Sequence, residues 1–248
     1  MKRREFLKTS VVGIGMWALG TNAFGKSADK SKKGKTLNIA VLAATGKAGR
    51  LITLEALNRG HSVTAFVRSA DKAKDLADKG AKVVQKDIFA LTSSDLAGFD
   101  VVISAFGEWK DLSLYKKHGA HLAKILAGDN ARLLVVGGAG SLYMDKTHKA
   151  MLMDTPTFPQ AHKGVAKAHS ELLDLLRKSK NLNWVYVSPP AEFVADAPKS
   201  GKYKITGEEF EVNDKGESKG SYADYASAMI DIAEDSTRNK VRVGVIGL

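Results

Sequence analysis

The chain has no cysteine. That excludes disulfide frameworks, zinc–thiolate sites, iron–sulfur clusters and thiol catalysis, though it leaves the compartment open. Long apolar runs are missing too: the stretch Val11–Leu19 is short and carries glycine, so it makes a poor membrane span. There is no phosphate loop of the Gly-Lys-Ser/Thr kind, because Lys47 lies inside its glycine turn and no such triplet follows. No helix-turn-helix, zinc finger or aromatic RNA-binding sheet is legible. His118 and His121 share a helix face but have no third ligand, so no metal site is expected.

What remains is ordinary globular material. At 248 residues, 44% hydrophobic and 26% charged, the chain can bury a sizeable core as one fold, with at most a small annex. Its formal charge of +11 is unevenly placed. Lys2, Arg3, Arg4 and Lys8 stand against Glu5 in residues 1–25, and Lys26, Lys30, Lys32, Lys33 and Lys35 against Asp29 in residues 26–35. Most of the excess therefore sits in an N-terminal extension rather than on a folded face, which argues against nucleic acid as a partner.

Residues 1–25 read as an address. A basic stretch precedes an apolar one and then small residues, the layout of a signal peptide. Arg3-Arg4-Glu5-Phe6-Leu7-Lys8 resembles the twin-arginine export motif, which implies the twin-arginine machinery as a partner and a periplasmic destination. Ala23-Phe24-Gly25 suits cleavage before Lys26. An uncleaved membrane anchor or a basic cytoplasmic tail are the alternatives. Residues 26–35 read as a flexible linker, and 36–248 as the folded domain, with a small C-terminal lobe at about 190–235.

From Leu37 strands and helices alternate. Strands are expected at Leu37–Ala43, His61–Val67, Lys82–Gln85, Asp100–Ser104, Arg132–Val136, Trp184–Val187, Tyr203–Thr206, Glu209–Val212 and Lys240–Ile246. Helices are expected at Arg50–Arg59, Asp71–Lys79, Leu114–Leu126, Ala161–Ser179 and Tyr222–Glu234, the last opened by a Ser221–Asp224 capping box. The repeated unit argues for an α/β fold: a Rossmann-type doubly wound parallel sheet with ligands at the strand ends.

The strongest functional signal is Ala43-Ala44-Thr45-Gly46-Lys47-Ala48-Gly49, between the first strand and first helix. Counted from Ala43 the spacing is small-x-x-Gly-x-x-Gly, with alanine where the first glycine usually stands. Amides at such a helix start hold a pyrophosphate, so Ala43, Thr45, Gly46, Lys47, Ala48 and Gly49 are candidate dinucleotide contacts. Arg68 ends the second strand, where a carboxylate would select NAD; its guanidinium suits a ribose 2′-phosphate and favours NADP(H) over NAD(H), with Ser69 assisting. Asp87 is placed to accept from the adenine amino group. Ser104, Ala105, Phe106 and Gly107 end the fourth strand beside the adenosine and diphosphate. Gly137 and Gly138 end the fifth, and Pro189 with Pro190 shape a loop under the nicotinamide.

AATGKAGR (43–50), VTAFVR (63–68), the Asp87 turn, VVISAFG (101–107), LLVVGGAGSLY (133–143), VSPP (187–190) and SYADYA (221–226) occur in one order. Together they resemble the atypical short-chain dehydrogenase/reductase group, the NAD(P)H-binding NmrA-like family that includes biliverdin reductase B/flavin reductase-type proteins. The resemblance spans Leu37 to Leu248. It implies a Rossmann NADP domain with a small lobe over the nicotinamide, and either reduction of flavin, quinone or tetrapyrrole-like substrates or redox sensing without turnover.

The larger dehydrogenase family uses a tyrosine with a lysine four residues later, the lysine lowering the phenol pKa. The tyrosines here, 115, 143, 186, 203, 222 and 225, are followed at that spacing by glycine, threonine, proline, glycine, alanine and methionine. That arrangement is absent. Ser141, Tyr143, His162 and Lys163 are the candidate catalytic residues, His162 as a proton donor and Lys163 as a ribose contact. The expected function is an NADPH-dependent reductase passing hydride to a small carbonyl, quinone or flavin-like acceptor. An NADP(H)-binding sensor, or an epimerase or dehydratase that retains its nucleotide, are the alternatives.

Overall fold

The computed structural model describes residues 35–248. The leader, and all of the linker but Lys35, lie outside the described residues.

The elements follow in chain order as β1 (Asn38–Leu42), α1 (Lys47–Asn58), β2 (Ser62–Val67), α2 (Lys74–Asp78), β3 (Lys82–Gln85), β4 (Val101–Ser104), α3 (Ser113–Ile125), β5 (Arg132–Val136), α4 (Gln160–Lys178), β6 (Asn183–Ser188), β7 (Glu192–Val194), β8 (Tyr203–Thr206), β9 (Lys219–Ser221), α5 (Tyr222–Glu234) and β10 (Val241–Gly247). Eight strands form one sheet in the order β3-β2-β1-β4-β5-β6-β10-β8. Every neighbouring pair is parallel except β10 and β8. The winding reverses between β1 and β4, and in such sheets ligands bind at that switch point, outside the carboxyl ends of the strands.

The apolar run of β1 is explained by burial on both faces. Ile39 and Val41 join the core that includes α1 and α5, whereas Ala40 and Leu42 join the core that includes α3 and α4. Helices cover both sides, so the strand has no polar alternation. Helix α1 buries Gly49, Ile52, Thr53 and Ala56, one stripe at helical spacing. On the opposite layer Leu172, Leu173 and Leu176 of α4 pack with Tyr115 and Leu122 of α3. Full burial of a side chain the size of leucine contributes about 1.5–3 kcal/mol.

The Rossmann-type sheet expected from the alternation is present, and β3, β5, β8 and α5 fall at their expected bounds. Ser221 Oγ accepts from the Asp224 N–H at 2.9 Å, closing the expected cap. Three details differ. The strand expected at Glu209–Val212 does not form: Glu209 makes an isolated bridge to Tyr143, and Phe210 N–H donates to the Tyr143 carbonyl at 2.7 Å. The edge that a hairpin would have used belongs to β10, which pairs with β8. The helix expected at Asp71–Lys79 splits into a 3-10 turn at Ala70–Ala73 and α2. Strands β7 and β9, three residues each, pair in parallel across 24 intervening positions that local periodicity does not connect. Within 190–235, α5 lies on α1 as part of the layer covering the sheet. No helix among the described residues is long and apolar enough to cross a membrane.

Candidate functional site

The bend between β1 and α1 is built around two backbone demands. Ala43 has φ +56°, the left-handed conformation that glycine adopts without cost, which is why glycine is usual at this position. Gly49, in the first turn of α1, has no room for a side chain: an added Cβ would lie 2.5 Å from the Ala43 carbonyl oxygen and 3.2 Å from Ala105 Cβ. The bend is closed by Gly46 N–H donating to Ala43 O at 3.0 Å. No side chain caps α1 and no carboxylate stands in its first turn, while Gly46 and Lys47 are exposed. Uncapped first-turn amides and the positive end of the helix dipole form a cradle for a diphosphate. The residues present fit a dinucleotide.

Neighbouring strands bring the adenosine-side candidates to the same edge. Ala44 N–H donates to Phe66 O at 3.2 Å, so the bend sits directly against the end of β2. Arg68, one residue past β2, is exposed and has no hydrogen bond or ion pair among the described residues. No acidic side chain takes its place: Asp75 is engaged by Arg50, which also donates to Lys72 O at 2.7 Å. Ser69 precedes the 3-10 turn. Asp87 is exposed, with one oxygen accepting from Phe89 N–H at 2.8 Å; that cap orients the carboxylate.

At the end of β4 the expected roles divide. Ala105 adjoins Gly49, and Phe106 and Gly107 continue along the edge. Ser104, by contrast, is 2% exposed, and its hydroxyl is paired with His118 Nε2 at 2.8 Å. It faces α3, where His118 occupies its hydroxyl. Burial, with His121 close by, holds His118 down at about 3, a neutral imidazole packed against Phe89 and Phe106.

The glycines after β5 answer to the protein's own side chains. A Cβ on Gly137 would collide with the Tyr186 ring, and one on Gly138 would come 3.0 Å from the His169 ring. Gly138 N–H donates to Tyr186 Oη at 3.0 Å, and that hydroxyl meets His169 at 3.2 Å. Burial pushes Tyr186 up and His169 down to about 4. His169 is the feature that sequence reading missed; its spacing of seven from His162 places both on one helix face, which was the available signal. Pro189 is buried directly after β6.

The four candidate catalytic residues do not converge. Ser141 is buried and held by Arg242, whose guanidinium donates to its hydroxyl at 3.2 Å and also to its carbonyl. Tyr143 is stacked on His148 at 4.1 Å, lies 4.8 Å from the Arg242 guanidinium, and accepts from Arg177 at 3.4 Å. Arg177 is in the last turn of α4, whereas His162 and Lys163 are in its first. At 1.5 Å per residue that separation is about 20 Å. Ser141 and Tyr143 thus belong to a clasp with Arg177, Arg242 and Glu208. His162 and Lys163 stay exposed, His162 edge-on to Trp109 with ring centres 6.2 Å apart. The other phenols are also engaged: Tyr115 accepts from Glu108 N–H, Tyr203 donates to Asp231, Tyr225 donates to Val187 O, and Tyr222 is stacked on Phe193. Among the described residues no cluster of side chains is arranged to hold a metal.

Residues 43–236 match the model of an NAD(P)H-binding family, and the chain belongs to that family. YwnB, an uncharacterised protein of Bacillus subtilis (strain 168), is 39% identical over 212 residues, covering 85% of this chain and 98% of YwnB. Among solved structures, SP1627 of Streptococcus pneumoniae TIGR4, a candidate NADH-flavin reductase, is similar with a TM-score of 0.81 and 46% identity, over 86% of this chain and 100% of that one. A Burkholderia pseudomallei protein described as exported is similar at 31% identity and TM-score 0.75, over 85% and 100%. The chain is an NAD(P)H-binding protein of the same architecture as a reductase-type protein.

Proposed function

We propose that the chain is a reductase that prefers NADP(H) to NAD(H) and serves a small carbonyl, quinone or flavin-like acceptor. The observation that carries this reading is the bend: left-handed Ala43, the filled space over Gly49, and uncapped amides at the start of α1. Bound NADPH supplies the hydride. The chain's own residues do the rest. Amides of Lys47, Ala48 and Gly49 bind the diphosphate, and the Arg68 guanidinium, without a partner among the described residues, takes the 2′-phosphate. Ala105–Gly107 line the adenosine side. The balancing proton comes from solvent or from exposed His162, since α4 itself carries no tyrosine.

Calorimetry with NADPH and NADH tests the cofactor assignment: NADPH binds at least about tenfold more tightly, and Arg68→Asp reverses the order. Oxidation of NADPH is then followed with FMN, menadione and benzaldehyde. Tight NADPH binding with no oxidation by any acceptor would replace the reductase with a sensor. Export by the twin-arginine route is part of the proposal. It rests on Arg3-Arg4-Glu5-Phe6-Leu7-Lys8 and on the likeness to the exported Burkholderia protein. Arg3→Lys with Arg4→Lys is expected to leave the protein in the cytoplasmic fraction; unchanged export would refute that route.

A further inference from the structure

Arg50 joins the diphosphate bend to the loop after β2. It follows directly on Gly49, and its backbone N–H donates to Gly46 O at 2.9 Å, so its Cα is fixed by the bend itself. Its side chain leaves α1 altogether. One guanidinium nitrogen donates to Lys72 O at 2.7 Å, in the 3-10 turn Ala70–Ala73, and another pairs with Asp75 Oδ2 in the first turn of α2. A planar guanidinium fork can hold two such acceptors at once in fixed directions. From the opposite side the same loop is held by β3. Gln85, the last residue of that strand, accepts from Ala70 N–H through Oε1 at 3.2 Å, and Lys86 N–H donates to Val67 O at 2.9 Å. The loop that carries Arg68 and Ser69 is therefore slung between α1 and β3.

These ties do little for stability. The side chains of Arg50 and Asp75 are 33% and 54% exposed, and ion pairs that open to solvent contribute little to folding. What they set is position. The Arg68 guanidinium is exposed and has no partner among the described residues to orient it, so its placement depends on the backbone that bears it. A long cation on a loose loop loses part of its attraction for a phosphate to the cost of ordering that loop, and a loop held beforehand avoids the loss. We propose that Arg50, bridging Lys72 and Asp75, is a positioning residue that sets the loop after β2 for the ribose 2′-phosphate, with Gln85 as the second tie, and thereby fixes the preference for NADPH over NADH. In this role Arg50 acts through Arg68 and does not touch the cofactor. The proposal rests on the NADP(H) reading of Arg68 and adds the residues that make that reading selective.

The test is calorimetry of the full-length protein with NADPH and NADH, read as the ratio of the two affinities, with circular dichroism to check the fold. Arg50→Ala is expected to lower the NADPH preference about fivefold, the range set by one solvent-exposed charge contact, while NADH affinity stays within about twofold. Asp75→Ala lowers the preference in the same direction but less, because Arg50 keeps Lys72 O. The double variant is no worse than Arg50→Ala alone, since both substitutions remove one bridge. Gln85→Ala, at the other tie, also lowers the preference. Opposite signs for Arg50→Ala and Asp75→Ala overturn the proposal, because local charge rather than loop position would then set the preference. Equal losses of NADPH and NADH in Arg50→Ala overturn it too, by placing Arg50 on the diphosphate. So do unchanged ratios in the variants of a wild type that prefers NADPH, an outcome that leaves the Arg68 reading standing. A wild type with no preference for NADPH removes both.

Discussion

Two glycine-bearing strand ends invite the same reading and turn out to be opposites. After β1 the space over Gly49 is limited by the Ala43 carbonyl, the α1 amides are left uncapped, and the bend opens to solvent at Gly46 and Lys47. After β5 the space over Gly137 and Gly138 is filled by Tyr186 and His169, and over Gly140 by Ala166. The first end spends its glycines on a backbone that can approach a ligand; the second spends them on the close approach of α4 and β6. Glycine after a strand says only that a Cβ is unwelcome. What would collide with it decides whether the site is a cradle or a packing contact.

Gly49→Val gives the sharpest test of that contrast. Its side chain must displace the Ala43 carbonyl, so NADPH affinity falls on the order of 100-fold by calorimetry. Arg242→Met acts on the other region. It removes the buried donors to Ser141 and Glu208 and lowers stability by about 3 kcal/mol in urea. A companion loss of NADPH affinity as large as that of Gly49→Val would erase the distinction. Gly137→Ala forces the Tyr186 ring aside and costs roughly 2 kcal/mol, again with the larger share in stability rather than binding.

His118, behind β4, adds a pH dependence. The unfolded chain protonates it near 6.5, while the folded chain resists until about 3. Its contribution is fully present above 6.5 and is lost as pH falls through that window, by up to about 1.4 kcal/mol per pH unit. His118→Gln should flatten the change in urea midpoint between pH 7 and pH 5; an unchanged slope would show that another group carries it. The smallest effect is expected from Ala43→Gly. Relief of the left-handed alanine, less the backbone entropy of glycine, raises stability by roughly 0.5 kcal/mol, and NADPH binding persists.

Much of the fold was legible. Apolar runs marked β1–β6 because both faces of a parallel sheet are covered, and helical spacing marked α1, α3, α4 and α5. The β1–α1 bend was legible for the same reason: its parts are neighbours in the chain, so their spacing is their geometry. Residues 209–212 misled because their texture suits a strand, yet their partner is the loop around Tyr143. The catalytic set misled in a similar way. Ser141 and Tyr143 look like site residues beside a glycine turn, but their partners are Arg242 and Arg177, 101 and 34 residues away.

The sequence by itself determined the order of β1–β6 and of the helices, the glycine bend after β1 and the basic residue after β2, all consequences of short-range spacing and local conformational preference. Only the tertiary structure decided which glycines border the open bend after β1 and which face Tyr186 and His169. It also buried the Ser104 hydroxyl against His118, drew Tyr143 into an arginine clasp and left Trp109 free beside His162. Those outcomes depend on which side chains from distant segments compete for the same volume, and packing settles that competition only once the sheet has closed.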